Sequence, residues 1–330
     1  MPVPEISGKR ILFGVLNWGM GHASRSSVLI EMLTRNRNTV EIVSSGMAFA
    51  YLKKRFPELK IYDLEHAELV YPKHSQLWFA LLMQRKKIFG SIQHENNWLK
   101  KHLTTNHADL VISDNCYGFY HKNVHSIFMT HQLHLKAPFF EGRLNTKIRS
   151  LIDPFNEIWI PDTAGDLNLA GELSHPPLAD KNCTYIGTLS VLEKNNLPQR
   201  YAYCAVISGP EKQRSLFESS VIEFLKNKKK PAVVIRGVFS PDVSASTLNN
   251  IQIHDFLHGK ELAHVINQSE VVICRSGYSS IMDLYTLEKP CLLLPTPGQT
   301  EQEYLCKKHM QQGIKTLENV EPVRISLCKG

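Results

Sequence analysis

The sequence predicts an α/β protein of two doubly wound domains, each a parallel sheet covered by helices, facing one another across a cleft. Three observations predict it. Short apolar runs alternate with segments of helical spacing along most of the chain, the pattern of a parallel sheet buried on both faces. The alternation lapses once, over 162–200, where Gly165, Gly171, Pro176, Pro177 and Pro198 gather, as expected of an inter-domain segment. The 330 residues amount to about two domains at roughly 100–200 residues each.

The strands can be taken in order. Lys9–Asn17, Thr39–Ser45, Leu59–Asp63, Ala108–Asp114, Ser126–Thr130 and Asn156–Pro161 are short runs rich in Val, Ile and Leu and read as strands of the first domain. Between the first two, Val28, Leu29, Met32 and Leu33 share one helical face. One short strand, Thr184–Gly187, falls in the linking stretch. In the second half Tyr203–Ser208, Pro231–Arg236, Asn250–His254, Glu270–Cys274 and Cys291–Pro295 read as strands, with helices near 211–227, 260–268, 279–288 and 300–312. The expected division is 1–163 and 164–330.

Composition narrows the class. Apolar residues make up 43% of the chain and charged residues 21%, which excludes a disordered protein. No run of about 18 apolar residues occurs, so no membrane-spanning helix is expected. The segment Met1–Glu5 lacks the basic-then-apolar pattern of a signal peptide. The seven cysteines, at 116, 183, 204, 274, 291, 306 and 328, form no C-x-x-C pair and read as reduced thiols of a cytoplasmic protein rather than as a zinc site. The net charge of +7 is uneven: 1–163 hold 20 Lys and Arg against 14 Asp and Glu, and 164–330 hold 18 against 17. Ten of the 15 histidines lie in the first half. Such a half suits an anionic partner or is an ordinary soluble surface. Gln76–Phe89 joins apolar and aromatic residues to Arg85, Lys86 and Lys87. It reads either as a helix packed on its own domain or as a peripheral contact with the inner membrane face or a lipid-linked acceptor.

Ligands of open parallel sheets bind at the carboxyl ends of the strands, so the strand-to-helix turns are the places to search. The first, Asn17–Ser24, reads Asn-Trp-Gly-Met-Gly-His-Ala-Ser. It lacks the third glycine of a dinucleotide fingerprint, and Ser44 and Ser45 stand where the ribose acid would be; no P-loop Gly-Lys follows either. What remains is a turn, with Gly19 and Gly21, that delivers His22 to the first turn of a helix. There the imidazolium is disfavoured and a neutral ring can accept a proton near pH 7. His22 is therefore a general base or a capping residue. Asp114, which ends the fourth strand at the same sheet edge, is the carboxylate placed to fix its tautomer, or else a turn cap. His131 and Gln132 follow the fifth strand and line an acceptor pocket or the surface.

In the second half, Gly209 lies in a small-residue turn that lets a ligand approach the backbone. Arg275-Ser276-Gly277-Tyr278-Ser279-Ser280 opens a helix with hydroxyls and unpaired amides suited to a diphosphate, with Arg275 adding charge; an ordinary Ser-capped helix would look the same. Asp283, one turn on, could accept from a ribose diol. Gln302 and Glu303, in the cluster after Pro295, could bind sugar hydroxyls or sit in a solvated first helical turn.

Taken as a set, the Gly-x-Gly-His turn, Cys274-Arg-Ser-Gly-Tyr-Ser-Ser-Ile-Met-Asp283, Lys289-Pro-Cys-Leu-Leu-Leu-Pro295 and Gln299-Thr-Glu-Gln-Glu-Tyr304 resemble the GT-B glycosyltransferases, two Rossmann-like domains across a cleft. The nearest branch is that of MurG and the UDP-glycosyltransferases, with the family 28 C-terminal domain. The resemblance implies a nucleotide-sugar donor in the C-terminal domain and an acceptor in the N-terminal one. It implies inversion without a metal and no cofactor beyond the donor. It further implies His22 as base supported by Asp114, the 275–280 turn on the diphosphate, and Asp283 at the ribose. Gln302 and Glu303 would meet the sugar, and backbone groups at Phe256 and Leu257 the base. Pro210 and Glu211 depart from the family's glycine-rich turn. A UDP-sugar 2-epimerase of the same fold and a non-catalytic sugar-nucleotide binder are the alternatives. No RNA-binding signature is present, so no nucleic-acid partner is expected.

Overall fold

The computed structural model describes residues 4–64, 84–238, 245–310 and 323–324. The chain divides into two compact units, the first reaching Leu189 and the second beginning at Ser190.

In the first unit, β1 (Arg10–Val15), α1 (Met20–Arg35), β2 (Thr39–Ser44), α2 (Gly46–Arg55) and β3 (Lys60–Asp63) alternate as expected. There follow α3 (Arg85–His102), β4 (Leu110–Asp114), β5 (His125–Met129), α4 (Glu141–Ile152), β6 (Glu157–Ile160) and β7 (Asn182–Tyr185). They build a seven-stranded sheet of order β3-β2-β1-β4-β5-β6-β7, with every pair parallel. Two-residue alternation explains its double burial. Ile11, Phe13 and Val15 join Leu29, Ile30 and Leu33 of α1 in one cluster. Leu12 and Leu16 point the other way, with Val111, Leu99 and Phe119. Each such fully buried aliphatic side chain contributes about 1.5–3 kcal/mol.

The unit boundary corrects the expected division at 163/164. β7 hydrogen-bonds β6 as the seventh strand, Glu157 pairing with Asn182 and Ile160 with Tyr185. The Gly- and Pro-rich stretch before it is packed structure, not a linker. Asp162 is fully buried and accepts from the Leu169 and Ala170 amides and the Ser174 hydroxyl, each at 2.9 Å. Leu133 and His134 donate to Leu173 O at 2.7 and 3.0 Å. Turn residues here fold a loop onto the sheet edge rather than release the chain.

The second unit contains β8 (Tyr201–Val206), α5 (Glu211–Lys228), β9 (Ala232–Ile235), β10 (Ala245–Leu248), β11 (Ile251–His254) and α6 (Gly259–Asn267). It continues with β12 (Ser269–Arg275), α7 (Tyr278–Leu287), β13 (Pro290–Leu294), α8 (Thr300–Met310) and β14 (Val323–Arg324). The order is β10-β11-β9-β8-β12-β13-β14. β10 and β14 lie at the edges and run antiparallel. Neither was expected: β10 is exposed along its whole length, so no apolar period announces it. The core gathers Ala205, Ile207, Phe217, Val221, Val234, Ile273 and Leu292.

The six described cysteines are free thiols, five of them buried. No helix among the described residues is long and apolar enough to cross a membrane. Residues 76–83 of the amphipathic stretch lie outside the described residues; from Arg85 it is helix α3.

Candidate active site

In the first sheet the chain winds outward in opposite directions from β1 and β4, so their carboxyl ends form the topological switch point. Val15 pairs with Asp114 there, and Leu16 N donates to Asp114 O at 3.2 Å. The next residues turn sharply. Gly19 takes φ +77° as the N-cap of α1, in the left-handed region that glycine tolerates best. Asn17 Oδ1 accepts from Ala48 N at 3.2 Å, tying this turn to the start of α2.

The turn sets His22 over the end of β4. Its Nδ1 lies 2.9 Å from Asp114 Oδ1. Asp114 is fully buried and is no simple cap. It also accepts from Ser26 Oγ at 2.7 Å, from Arg25 Nε at 3.0 Å and from Arg25 Nη2. Burial works to raise the Asp114 pKa, but Arg25 and His22 outweigh it and hold the carboxyl well below the usual carboxylate range. An ionised carboxylate accepts only, so the His22 proton on Nδ1 is donated to it and Nε2 keeps its lone pair. Burial lowers the His22 pKa below 6.5; Asp114 opposes this, while Arg25 and His131 add to it. The result is a neutral imidazole at neutral pH, aimed by a carboxylate: the components of a general base.

His131, only 6% exposed, sits 3.1 Å from Arg25 Nη1 through its Nδ1. Gln132 N donates to Thr130 Oγ1 at 3.0 Å. His22, Asp114 and His131 are thus brought together; Gly19 caps α1 and Gly21 lies in the first turn of that helix, next to His22 in sequence. Arg25 and Ser26 are site residues that the sequence reading missed. The available signal was spacing: residues 22, 25 and 26 share a helical face, and two of them are polar residues on the face that α1 buries.

The second sheet has its own switch point, between β8 and β12. After β8, Gly209 takes φ +116° and a side chain there would meet nothing within 4 Å. After β12, Gly277 N-caps α7 with no side-chain cap on that helix. A Cβ on Gly277 would find only Gln302 Nε2, at 3.9 Å. Uncapped amides at an open helix start suit an anion. Ser279 and Ser280, in the first turn of α7, are partly exposed.

The side chains around this turn differ from expectation. Arg275 turns inward, with Nη1 on Pro295 O at 2.7 Å, Nη2 on Gln213 O at 3.3 Å and the guanidinium 4.0 Å from the Phe217 ring centre. Burial pushes its pKa down to about 10. It shapes the turn from beneath, where sequence reading had it adding charge to a diphosphate. Ser276 Oγ donates to Gln302 O at 2.7 Å, and Tyr278 packs in the core at 2% exposure. Gln302 Oε1 accepts from Thr296 N at 2.8 Å and Glu303 Oε1 from Gly298 N at 2.9 Å. Both therefore also brace the turn after β13. Asp283 accepts from Ser190 Oγ, and burial pushes its pKa up to about 7 against that hydrogen bond. Phe256 and Leu257 lie half-buried between β11 and α6, on a loop held by Arg236 Nη1 to Asp255 Oδ1 at 2.9 Å.

Both halves of the chain match known proteins. Residues 9–134 match the family model described as Glycosyl transferase family 1, and 218–317 match the Glycosyltransferase family 28 C-terminal domain. Among solved structures, the glycotransferase of kitacinnamycin superposes over 91% of this chain and 84% of its own, with TM-score 0.61 at 14% identity. The calicheamicin glycosyltransferase covers 90% and 84% at TM-score 0.59 and 11% identity. Acinetobacter baumannii MurG covers 94% and 87% at TM-score 0.52 and 12% identity. One curated relative is the UDP-N-acetylglucosamine–N-acetylmuramyl-(pentapeptide) pyrophosphoryl-undecaprenol N-acetylglucosamine transferase of Desulforudis audaxviator (strain MP104C). It is 34% identical over 76 residues, which span 22% of this chain and 20% of that enzyme. Fold and matches together define the class: this is a protein of the GT-B glycosyltransferase fold. More narrowly, residues 218–317 of its second unit match the model of the family 28 C-terminal domain.

Proposed function

We propose that the chain is an inverting glycosyltransferase that moves a sugar from a nucleotide-sugar to an acceptor hydroxyl. The observation that carries this reading is the His22–Asp114 pair at 2.9 Å, with Nε2 of a lowered-pKa imidazole left as acceptor. His22 takes the acceptor proton as the alkoxide attacks the anomeric carbon. The bond to the diphosphate breaks on the opposite face, and the nucleoside diphosphate departs with the electron pair. The open amides at the start of α7 support the charge that develops on the diphosphate, so no metal is required for that role. A UDP-sugar is the donor favoured here, since the curated relative's name specifies UDP-N-acetylglucosamine. The acceptor is a small molecule, glycan or lipid-linked hydroxyl.

The test is transfer from a panel of UDP- and dTDP-sugars to mixed acceptors, with and without EDTA, read by the anomeric configuration of the product. The reading expects an inverted product that survives EDTA. Interconversion of the donor sugar without an acceptor would replace it with an epimerase, and tight nucleotide binding without turnover on any acceptor would replace it with a binding protein.

A further inference from the structure

Two buried groups beside the His22–Asp114 pair have no part in the transfer step just described. Arg25, at 2% exposure, leaves α1 one turn after His22, and His131 follows β5. The guanidinium touches all three neighbours at once. Nε lies 3.0 Å from Asp114 Oδ2, Nη2 reaches Asp114 Oδ1 and lies 3.0 Å from His22 Nδ1, and Nη1 lies 3.1 Å from His131 Nδ1.

We propose that Arg25 is a positioning residue for the base: it clamps Asp114 with two donors, offsets the charge that Asp114 presents to His22, and locks His131 into the tautomer that carries its proton on Nε2. This rests on the reading of His22 as the base. Among the described residues, the charged and titratable groups facing His22 are Asp114 from β4, Arg25 from its own helix and His131 from the segment after β5. A lone carboxylate beside an imidazole favours the imidazolium and would occupy the base with a proton at neutral pH. A guanidinium within reach of both the carboxylate and the ring opposes this while leaving the carboxylate able to fix the ring. Of the causes that lower the His22 pKa, burial is the largest and Arg25 is the leading charge. The His131 tautomer follows from donor chemistry alone. Arginine has no acceptor, so a hydrogen bond from Nη1 needs a lone pair on His131 Nδ1, which leaves its hydrogen on Nε2. The 3.0 Å approach of Nη2 to His22 Nδ1 is a charge contact, because Nη2 donates to Asp114 Oδ1 and His22 Nδ1 carries the proton shared with that carboxylate.

Ring-nitrogen NMR on isotope-labelled histidine, titrated across pH in wild type, Arg25→Lys and Arg25→Met, tests this without needing an acceptor. In wild type the expected signals are His22 protonated on Nδ1 and titrating below 6.5, with His131 protonated on Nε2. In Arg25→Met the His22 midpoint rises by about one pH unit or more, and His131 loses its single tautomer; Arg25→Lys retains part of the charge effect. An unchanged His22 midpoint in both variants would overturn the proposal. So would a wild-type His131 carrying its proton on Nδ1. If Arg25→Met does not fold, the wild-type tautomers and Arg25→Lys decide. Where turnover is measurable, the acid limb of kcat/KM moves up with the NMR midpoint, whereas a merely structural arginine lowers turnover equally at every pH. A midpoint shift in a chain that transfers no sugar upholds the role of Arg25 and overturns the transfer reading alone.

Discussion

Asp114 gathers four hydrogen bonds from three side chains in a fully buried position, and its removal has consequences for both stability and chemistry. Asp114→Asn keeps the volume but leaves the Arg25 guanidinium buried without its counter-ion. Breaking such a pair costs about 3–5 kcal/mol, to be read as a fall in the denaturant midpoint. The sign with pH follows from the directions of the shifts. The folded Asp114 pKa lies below its unfolded value, so its contribution is complete above about pH 4 and is lost as pH falls toward the folded value. His22 is also lowered on folding, which adds stability above its unfolded pKa of about 6.5 and withdraws it on acidification. Below about pH 4 wild-type stability should therefore fall toward that of Asp114→Asn, measured as unfolding free energy at pH 4.5, 3.5 and 2.5, whereas between pH 7 and 5 the His22 effect acts in both proteins. His22 and Asp114 were legible in the sequence because a glycine turn and a strand end fix their place. Arg25 was not, because sequence does not show that a helical arginine points into the sheet. Arg275 misled for the same reason: its residue type suits a phosphate, but its direction is inward.

At the scale of elements, the proposed function rests on strand-to-helix turns. Gly277 is the sharpest case, since its φ of −71° and ψ of 144° are open to any residue. A Cβ there meets only the far end of Gln302 at 3.9 Å. Gly277→Val should thus leave the melting temperature within a degree or two while filling the space through which a diphosphate approaches the α7 amides. Isothermal titration with UDP should show binding weakened roughly 10-fold or more, the loss of about one good charge-assisted hydrogen bond. Unchanged affinity would mean that the diphosphate does not bind at this turn. The central parallel strands were readable because each is an apolar run buried on both faces. β10 was not, being an exposed edge strand. The unit boundary was misplaced because Gly and Pro mark turns without saying whether a turn is packed. The buried Asp162 carboxylate, which organises the loop before β7, is one aspartate among many in the sequence.

At the scale of the molecule, each unit has its own sheet, core and switch point, and the proposed chemistry divides between them. Nucleotide recognition then belongs to the second unit, so UDP should raise the melting temperature of wild type and of His22→Ala alike, by about 2.7 kcal/mol of native-state stabilisation at 100 times its Kd. The basic first half and the alternating strands were visible from composition and pattern, whereas the identity of the acceptor is written in neither. The central claim is that the imidazole of residue 22 removes the acceptor proton. It is tested most directly by single-turnover transfer from a bound nucleotide-sugar, comparing wild type with His22→Ala at saturating donor. The account predicts a rate lower by about 10²–10⁴ in the variant, with donor affinity unchanged. A variant that transfers sugar within a few-fold of the wild-type rate would contradict it.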